Sequence, residues 1–171
     1  INAKSEIVWK NSAYLFHHTI NKDHENYIWA CTRELVKSYD NNLQYWDNYL
    51  TKVDPETGQV VYHKSLTTIL LDNDLGHLIH GYSNFVMRKG SDPFHLNEIE
   101  PVLKDGHYCK KGDLFLSLRH RSMVIQYRPS TRKIIRTIQG GFYNQHDIDI
   151  VSDSVVSIFN NNTTSLSYTH L

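Results

Sequence analysis

The sequence predicts an all-β fold: a β-propeller, of which this chain supplies about three blades of a larger ring. Three observations predict it. Short apolar runs rich in β-branched and aromatic residues recur along the chain between clusters of turn-forming residues. Two of those turns share a pattern: Val53-Asp54-Pro55-Glu56-Thr57-Gly58-Gln59-Val60-Val61-Tyr62 and Tyr127-Arg128-Pro129-Ser130-Thr131-Arg132-Lys133-Ile134-Ile135-Arg136. In both, threonine stands two residues after proline, and a β-branched pair follows after two intervening residues. Finally, histidines lead units of similar layout, since His18 to Arg33 and His146 to Asn161 cover the same separation. His95 to Arg119 is longer, with Lys104 to Lys111 as the insertion responsible.

The expected organisation is one partial propeller domain over residues 1–171, with blade-like units starting near residues 18, 95 and 146. Closed propellers have about four to eight blades. The chain is therefore expected to be part of a longer ring or to be completed by other chains. An antiparallel sandwich is the competing fold.

Taken in order, Glu6 to Trp9 is a short β-prone run. Tyr14 to Ile20 and Tyr27 to Arg33 read as a hairpin around the polar turn Asn21 to Asn26, with histidines at its mouth. Glu34 to Asn48 reads as an insertion, because Leu35, Val36, Tyr39 and Leu43 suit a short helix while Asp40-Asn41-Asn42 suits a loop. Tyr49 to Val53 and Gln59 to Tyr62 form a second hairpin, its turn pre-set by Pro55 and closed by Gly58. Lys64 to Ser91 is mixed, with apolar Leu66 to Leu71 and His77 to Tyr82 separated by Asp72-Asn73-Asp74. Leu114 to Arg119 matches Ile28 to Arg33, and a last strand is expected at Val155 to Phe159. Gly112-Asp113 and Gly140-Gly141 are turn residues, with no Lys-Ser/Thr and no helix to make a phosphate loop.

Composition narrows the function. The 171 residues suffice for one domain with a core of its own. Lysine plus arginine and aspartate plus glutamate both total 18, which gives no electrostatic reason to expect nucleic acid or an anionic membrane. No apolar run approaches the about 20 residues of a membrane span, and no signal peptide is legible at Ile1. Cys31 and Cys109 lack CxxC spacing and read as two buried free thiols. The 11 histidines and 11 tyrosines suit pocket walls and half-buried strands alike.

Blades are related by rotation, so equivalent positions converge at one end of the channel. His18, His95 and His146 are expected to gather there, with Arg33 and Arg119 one strand away. Neutral imidazole is a competent nucleophile, a second imidazole moves a proton, and arginine offers a fixed fork of donors to a tetrahedral anion. Asn97, two residues after His95, adds a neutral donor and acceptor. Metal binding is the alternative use of the histidines, opposed by the neighbouring arginines, and no metal or other cofactor is expected. A hydrogen-bonded structural role stands beside the catalytic one. It is the default for His17, His24, His63, His77, His80, His107, His120 and His170, as solvated positions are for Arg121, Arg128, Arg132 and Arg136. The glycosylation sequons beginning at Asn161 and Asn162 are short matches that arise often by chance.

The motifs His17-His18-Thr19-Ile20, Phe94-His95-Leu96-Asn97, Gly112-Asp113-Leu114-Phe115-Leu116-Ser117-Leu118-Arg119-His120, Gln145-His146-Asp147 and Phe159-Asn160-Asn161 together resemble the bacterial arylsulfate sulfotransferase family. The likeness covers most of the chain. It implies a six-bladed propeller that moves a sulfuryl group from a phenolic sulfate donor to a phenolic acceptor without a nucleotide sulfate, in the periplasm or another extracytoplasmic setting. By the same resemblance His146 is the nucleophile, and His95, His18 and Arg119 assist. Asn97 binds substrate, with Arg119 and Asn97 stabilising the sulfuryl oxygens. A non-catalytic propeller module that binds a ligand, or a structural subunit, is the alternative function.

Overall fold

The computed structural model of the chain describes residues 3–37, 44–80 and 91–162. Three antiparallel sheets follow one another. The first holds β1 (Leu15–Lys22), β2 (Ile28–Lys37), β3 (Gln44–Val53) and β4 (Val60–Ser65), each paired with the next in sequence. Two short helices follow, α1 (Leu66–Leu71) and α2 (His77–His80). They lead to β5 (Leu96–Pro101), β6 (Leu114–Leu118), β7 (Met123–Arg128) and β8 (Lys133–Gln139), which repeat the same meander. A third sheet pairs β9 (Ile148–Ser152) with β10 (Val155–Ile158).

The sheets are joined through their first strands, β1 lying against β5 and β5 against β9. That is the relation of innermost strands in successive propeller blades, and the chain is all-β with a propeller-like order of sheets. The described residues contain no helix long and apolar enough to cross a membrane.

The middle sheet is covered on both faces, which its sequence encodes strand by strand. Along β6, Leu114, Leu116 and Leu118 enter the core shared with the first sheet, beside Trp29, Cys31, Leu50 and Phe94. Phe115, pointing the other way, enters a second core with Val102, Val124 and Ile148. The period of two of a strand divides these residues between the cores, and all five positions of β6 are buried. Cys31 and Cys109 are both buried and free.

Each shared-pattern turn joins the third strand of its sheet to the fourth. Asp54 accepts from the Glu56 amide at 2.8 Å through its side chain, and from the Gly58 amide at 2.8 Å through its carbonyl. Gly58 takes a φ of 73°, and a Cβ there would lie 2.5 Å from the Trp9 ring. Trp9 donates its indole N–H to the Pro55 carbonyl at 2.6 Å, so the Glu6–Trp9 run packs onto this turn and is not a strand.

Glu34 to Asn48 is not an insertion where it is described. β2 continues to Lys37 and β3 begins at Gln44, pairing Glu34 with Asp47, Leu35 with Trp46 and Val36 with Tyr45. Tyr45 and Trp46 supply cross-strand partners that propensity within the segment does not reveal. The expected loop at Asp40-Asn41-Asn42 lies outside the described residues, as do His170 and the residues following Asn162. Asn21 and Lys22 belong to β1, leaving a tighter turn. Leu66 to Leu71 forms a helix because Ser65 caps it, accepting from the Thr68 amide at 3.0 Å, while Leu66, Ile69 and Leu70 share its buried face.

Candidate functional site

His18, His95 and His146 reach one place by irregular backbone. His18 and His95 both adopt left-handed φ, at 56° and 51°. Each adjoins a break in pairing, between His17 and Ile20 in β1 and between Leu96 and Glu98 in β5. Such a conformation costs a non-glycine residue about 1–2 kcal/mol, a strain that surrounding contacts must hold. At His95 they do: the Asp92 carboxylate accepts the His95 amide at 2.8 Å, and the His95 carbonyl accepts from the Arg119 amide at 3.1 Å. His146 precedes β9, its amide bonded to the Phe159 carbonyl at 2.9 Å.

His18 Nε2 and His95 Nε2 lie 3.0 Å apart, and the His146 ring centre is 6.2 Å from that of His18. His18, not its neighbour His17, meets His95. His17 stands edge-on to His18 with ring centres 4.9 Å apart. Arg119 follows β6 at the start of a single helical turn, Arg119–Arg121, and is only 6 % exposed. Arg33 lies over the Trp46 ring, 4.8 Å from its centre, on the His17 side of the group.

Burial, and for some of them the charges nearby, favours the neutral form of His17, His18, His120 and His146. His18 is pushed down to about 4, by burial first and then by His95, His17 and His146. His146 is lowered by burial and then by the Arg119 guanidinium. Burial also lowers His17 and His120.

Supporting residues that sequence reasoning passed over complete the arrangement. Asp92 takes the His95 ring at Nδ1, 3.0 Å from Oδ2, and its own carbonyl takes His120 Nδ1 at 2.7 Å. The rings of His95 and His120 stack 4.6 Å apart. Asn48 donates to Asp92 Oδ1 at 2.8 Å and accepts the Leu96 amide at 3.0 Å. Burial pushes the Asp92 carboxyl up, but its hydrogen bonds and the His95 charge outweigh that and hold it down at about 2. The Asp-x-x-His spacing of Asp92 and His95 is the local signal that could have found this pair, since aspartate commonly bonds the backbone a few residues on.

Asn97 is 2 % exposed and donates its amide to the Gln145 carbonyl at 3.0 Å, which places it beneath the segment carrying His146. Gln145 is fully buried and donates to the Met123 carbonyl at 2.9 Å, while Ser117 donates to the His146 carbonyl at 2.8 Å. Asn161 donates to the Asn144 carbonyl at 2.6 Å and to His146 Nδ1.

Asp92, His95 and His120 are the one trio among the described residues whose ligand atoms lie within 4.8 Å of one another. Both of its imidazole Nδ1 atoms are already bonded to Asp92, so a cation would have to use Nε2 atoms or break those bonds. Two cavities of about 340 and 240 Å³ lie elsewhere, lined by Cys109, Ile150, Ser152 and Asp153, and include none of the clustered histidines. The imidazole group carries the convergent polar chemistry and is the candidate site.

The family model described as "Arylsulfotransferase (ASST)" matches residues 5–170. No curated protein and no solved structure matches the chain.

Proposed function

The chain belongs to the arylsulfotransferase family, and from that premise we propose that it moves a sulfuryl group from a phenolic sulfate ester to a phenolic acceptor through a covalent intermediate on His146. The observation that carries this reading is the meeting of His18, His95 and His146 beside Arg119, from separate sheets and turns.

In the first half-reaction His146 Nε2 attacks sulfur in line with the phenolic oxygen. An N–S bond forms, the S–O bond breaks, and the phenolate leaves with the electron pair. Attack through Nε2 needs the proton of the neutral ring on Nδ1, where Asn161 now donates. A half-turn of that amide would set its oxygen against the Asn144 carbonyl, so the Asn161 side chain must swing off the ring before Nδ1 carries that proton. The leaving oxygen takes a proton from the Nε2 of His95 in its imidazolium form, which Asp92 stabilises at Nδ1. His18, kept neutral, accepts from that same Nε2 until the phenolate replaces it.

The second half-reaction runs the steps in reverse. The acceptor phenol gives its proton to His95, its oxygen attacks sulfur, and the N–S bond breaks to restore His146. Arg119 supplies the fork of donors for charge on the sulfuryl oxygens, and among the described residues its guanidinium has no hydrogen-bond partner to compete with them. Asn97, with its amide given to Gln145, acts through the placement of His146. The three sheets are read as blades of a ring whose remaining blades lie elsewhere, in an extracytoplasmic setting.

The test is incubation of the protein with 4-nitrophenyl sulfate and a phenol, following nitrophenol release and the mass of the protein. Expected are sulfated phenol and a protein species heavier by one SO₃ group, both lost in His146→Asn with a rate drop of at least roughly a thousandfold. Arg119→Lys should lower the rate by about a hundredfold while leaving the labelled residue unchanged. A His146→Asn protein that still labels and turns over would overturn the assignment.

A further inference from the structure

We propose that Asp92, itself held by Asn48, is a positioning residue that keeps a proton on Nδ1 of His95, so that Nε2 is the nitrogen through which His95 gives and takes protons. This rests on the functional reading above for its consequence in catalysis, but not for its geometry.

The hydrogen bonds around Asp92 leave little freedom. Oδ1 receives two donors, the His95 amide at 2.8 Å and the Asn48 side-chain amide at 2.8 Å. Asn48 cannot turn over, because its own oxygen accepts the Leu96 amide at 3.0 Å. Oδ2 faces His95 Nδ1 at 3.0 Å. A carboxylate only accepts, so Nδ1 carries a proton whether the ring is neutral or charged. The Nε2 atom, 3.0 Å from His18 Nε2, is left as the exchanging nitrogen. Asp92 also fixes His120 through its backbone carbonyl, a contact that does not involve its side chain.

This arrangement makes the isosteric change informative. In Asp92→Asn the oxygen must stay at the position that receives two donors, which puts the new NH₂ opposite His95 Nδ1. That group donates, so Nδ1 must become the acceptor and the proton moves to Nε2. A carboxylate that orients a catalytic imidazole in this way is known to matter greatly when replaced by its amide.

The experiment is nitrogen NMR of histidine-labelled protein at neutral pH, reading whether Nδ1 of His95 is protonated. Expected is a protonated Nδ1 in the unvaried protein and an unprotonated one in Asp92→Asn, with His120 Nδ1 protonated in both as an internal control. Transfer from 4-nitrophenyl sulfate should fall roughly 10²–10⁴-fold in Asp92→Asn, in kcat with KM little changed. Asp92→Ala, which sets no donor against Nδ1, should retain more activity than Asp92→Asn, the reverse of what a purely structural role gives. An unprotonated Nδ1 in the unvaried protein, or a His95 unchanged in Asp92→Asn, overturns the proposal. A protein that moves no sulfuryl group while His95 responds as expected overturns the functional reading and leaves the positioning role standing.

Discussion

His18 Nε2 and His95 Nε2 lie 3.0 Å apart although 77 positions separate the two residues. At that distance both nitrogens cannot point a proton at each other, so one must accept. His18 is the one driven to stay neutral, pushed down to about 4 by burial first and by three neighbouring imidazoles after it.

That depression makes stability depend on pH with a definite sign. Between about 6.5, the ordinary histidine value, and about 4, the unfolded chain binds a proton at His18 that the folded one refuses. The contribution is therefore full above pH 6.5, is lost as pH falls and levels off below about 4. Urea midpoints measured from pH 7 to pH 4 should fall less steeply in His18→Gln than in the unvaried protein. Parallel profiles would show that His18 titrates normally.

Gln145 is the pin of the His146 segment. Its two amide hydrogens serve the Met123 carbonyl at 2.9 Å, Ser117 Oγ at 3.2 Å and the Leu118 carbonyl at 3.3 Å, with no exposure to water. Gln145→Leu leaves these acceptors unpaired inside the protein and should cost about 2–4 kcal/mol in denaturant unfolding. Ser117→Ala removes only the bond to the His146 carbonyl and should cost about 1 kcal/mol. Both should slow transfer through His146, with Gln145→Leu the slower.

Glu98 sits fully buried on β5 where the second and third sheets meet. Asn21 donates to its Oε1, and among the described residues its Oε2 has no hydrogen-bond partner. Burial first, and the Asp147 carboxyl second, raise it to about 8, while Glu100 beside Asp149 rises to about 7. The folded state thus keeps a proton that the unfolded chain gives up above about 4.5, and stability is lost as pH rises from there toward 8. Glu98→Gln should raise stability at pH 8 by roughly 2 kcal/mol and by much less at pH 5. Equal effects at both pH values in denaturant melts would contradict a protonated Glu98.

Strands and turns were legible because their causes are local. The alternation of Leu114 to Leu118, the proline-to-threonine turns and the polar corner read at Asn21 to Asn26, two residues longer than it is, each act within a few residues. The Leu66–Leu71 helix was passed over although its Ser65 cap is local, and the long β2–β3 hairpin was not legible because it depends on Trp46 and Tyr45 reaching across to the partner strand. The link that joins His120 and Asn48 to His95 through Asp92 escaped notice for the same reason as that hairpin. Nothing near Asn48 in the chain shows that its amide will bridge to Asp92.

By itself the sequence determined the all-β class and the place of most strands and turns, because hydrophobic periodicity and turn chemistry are properties of neighbours in the chain. Only the tertiary structure decided that His18 and not His17 meets His95, that Asn97 lies under the His146 segment, and that Asn48 reaches the carboxylate beside His95. Those outcomes depend on two left-handed residues, two breaks in strand pairing and the packing of β1 against β5. A single shift in register sends a side chain to the opposite face of a sheet, and contacts between separate sheets hold the register that places it.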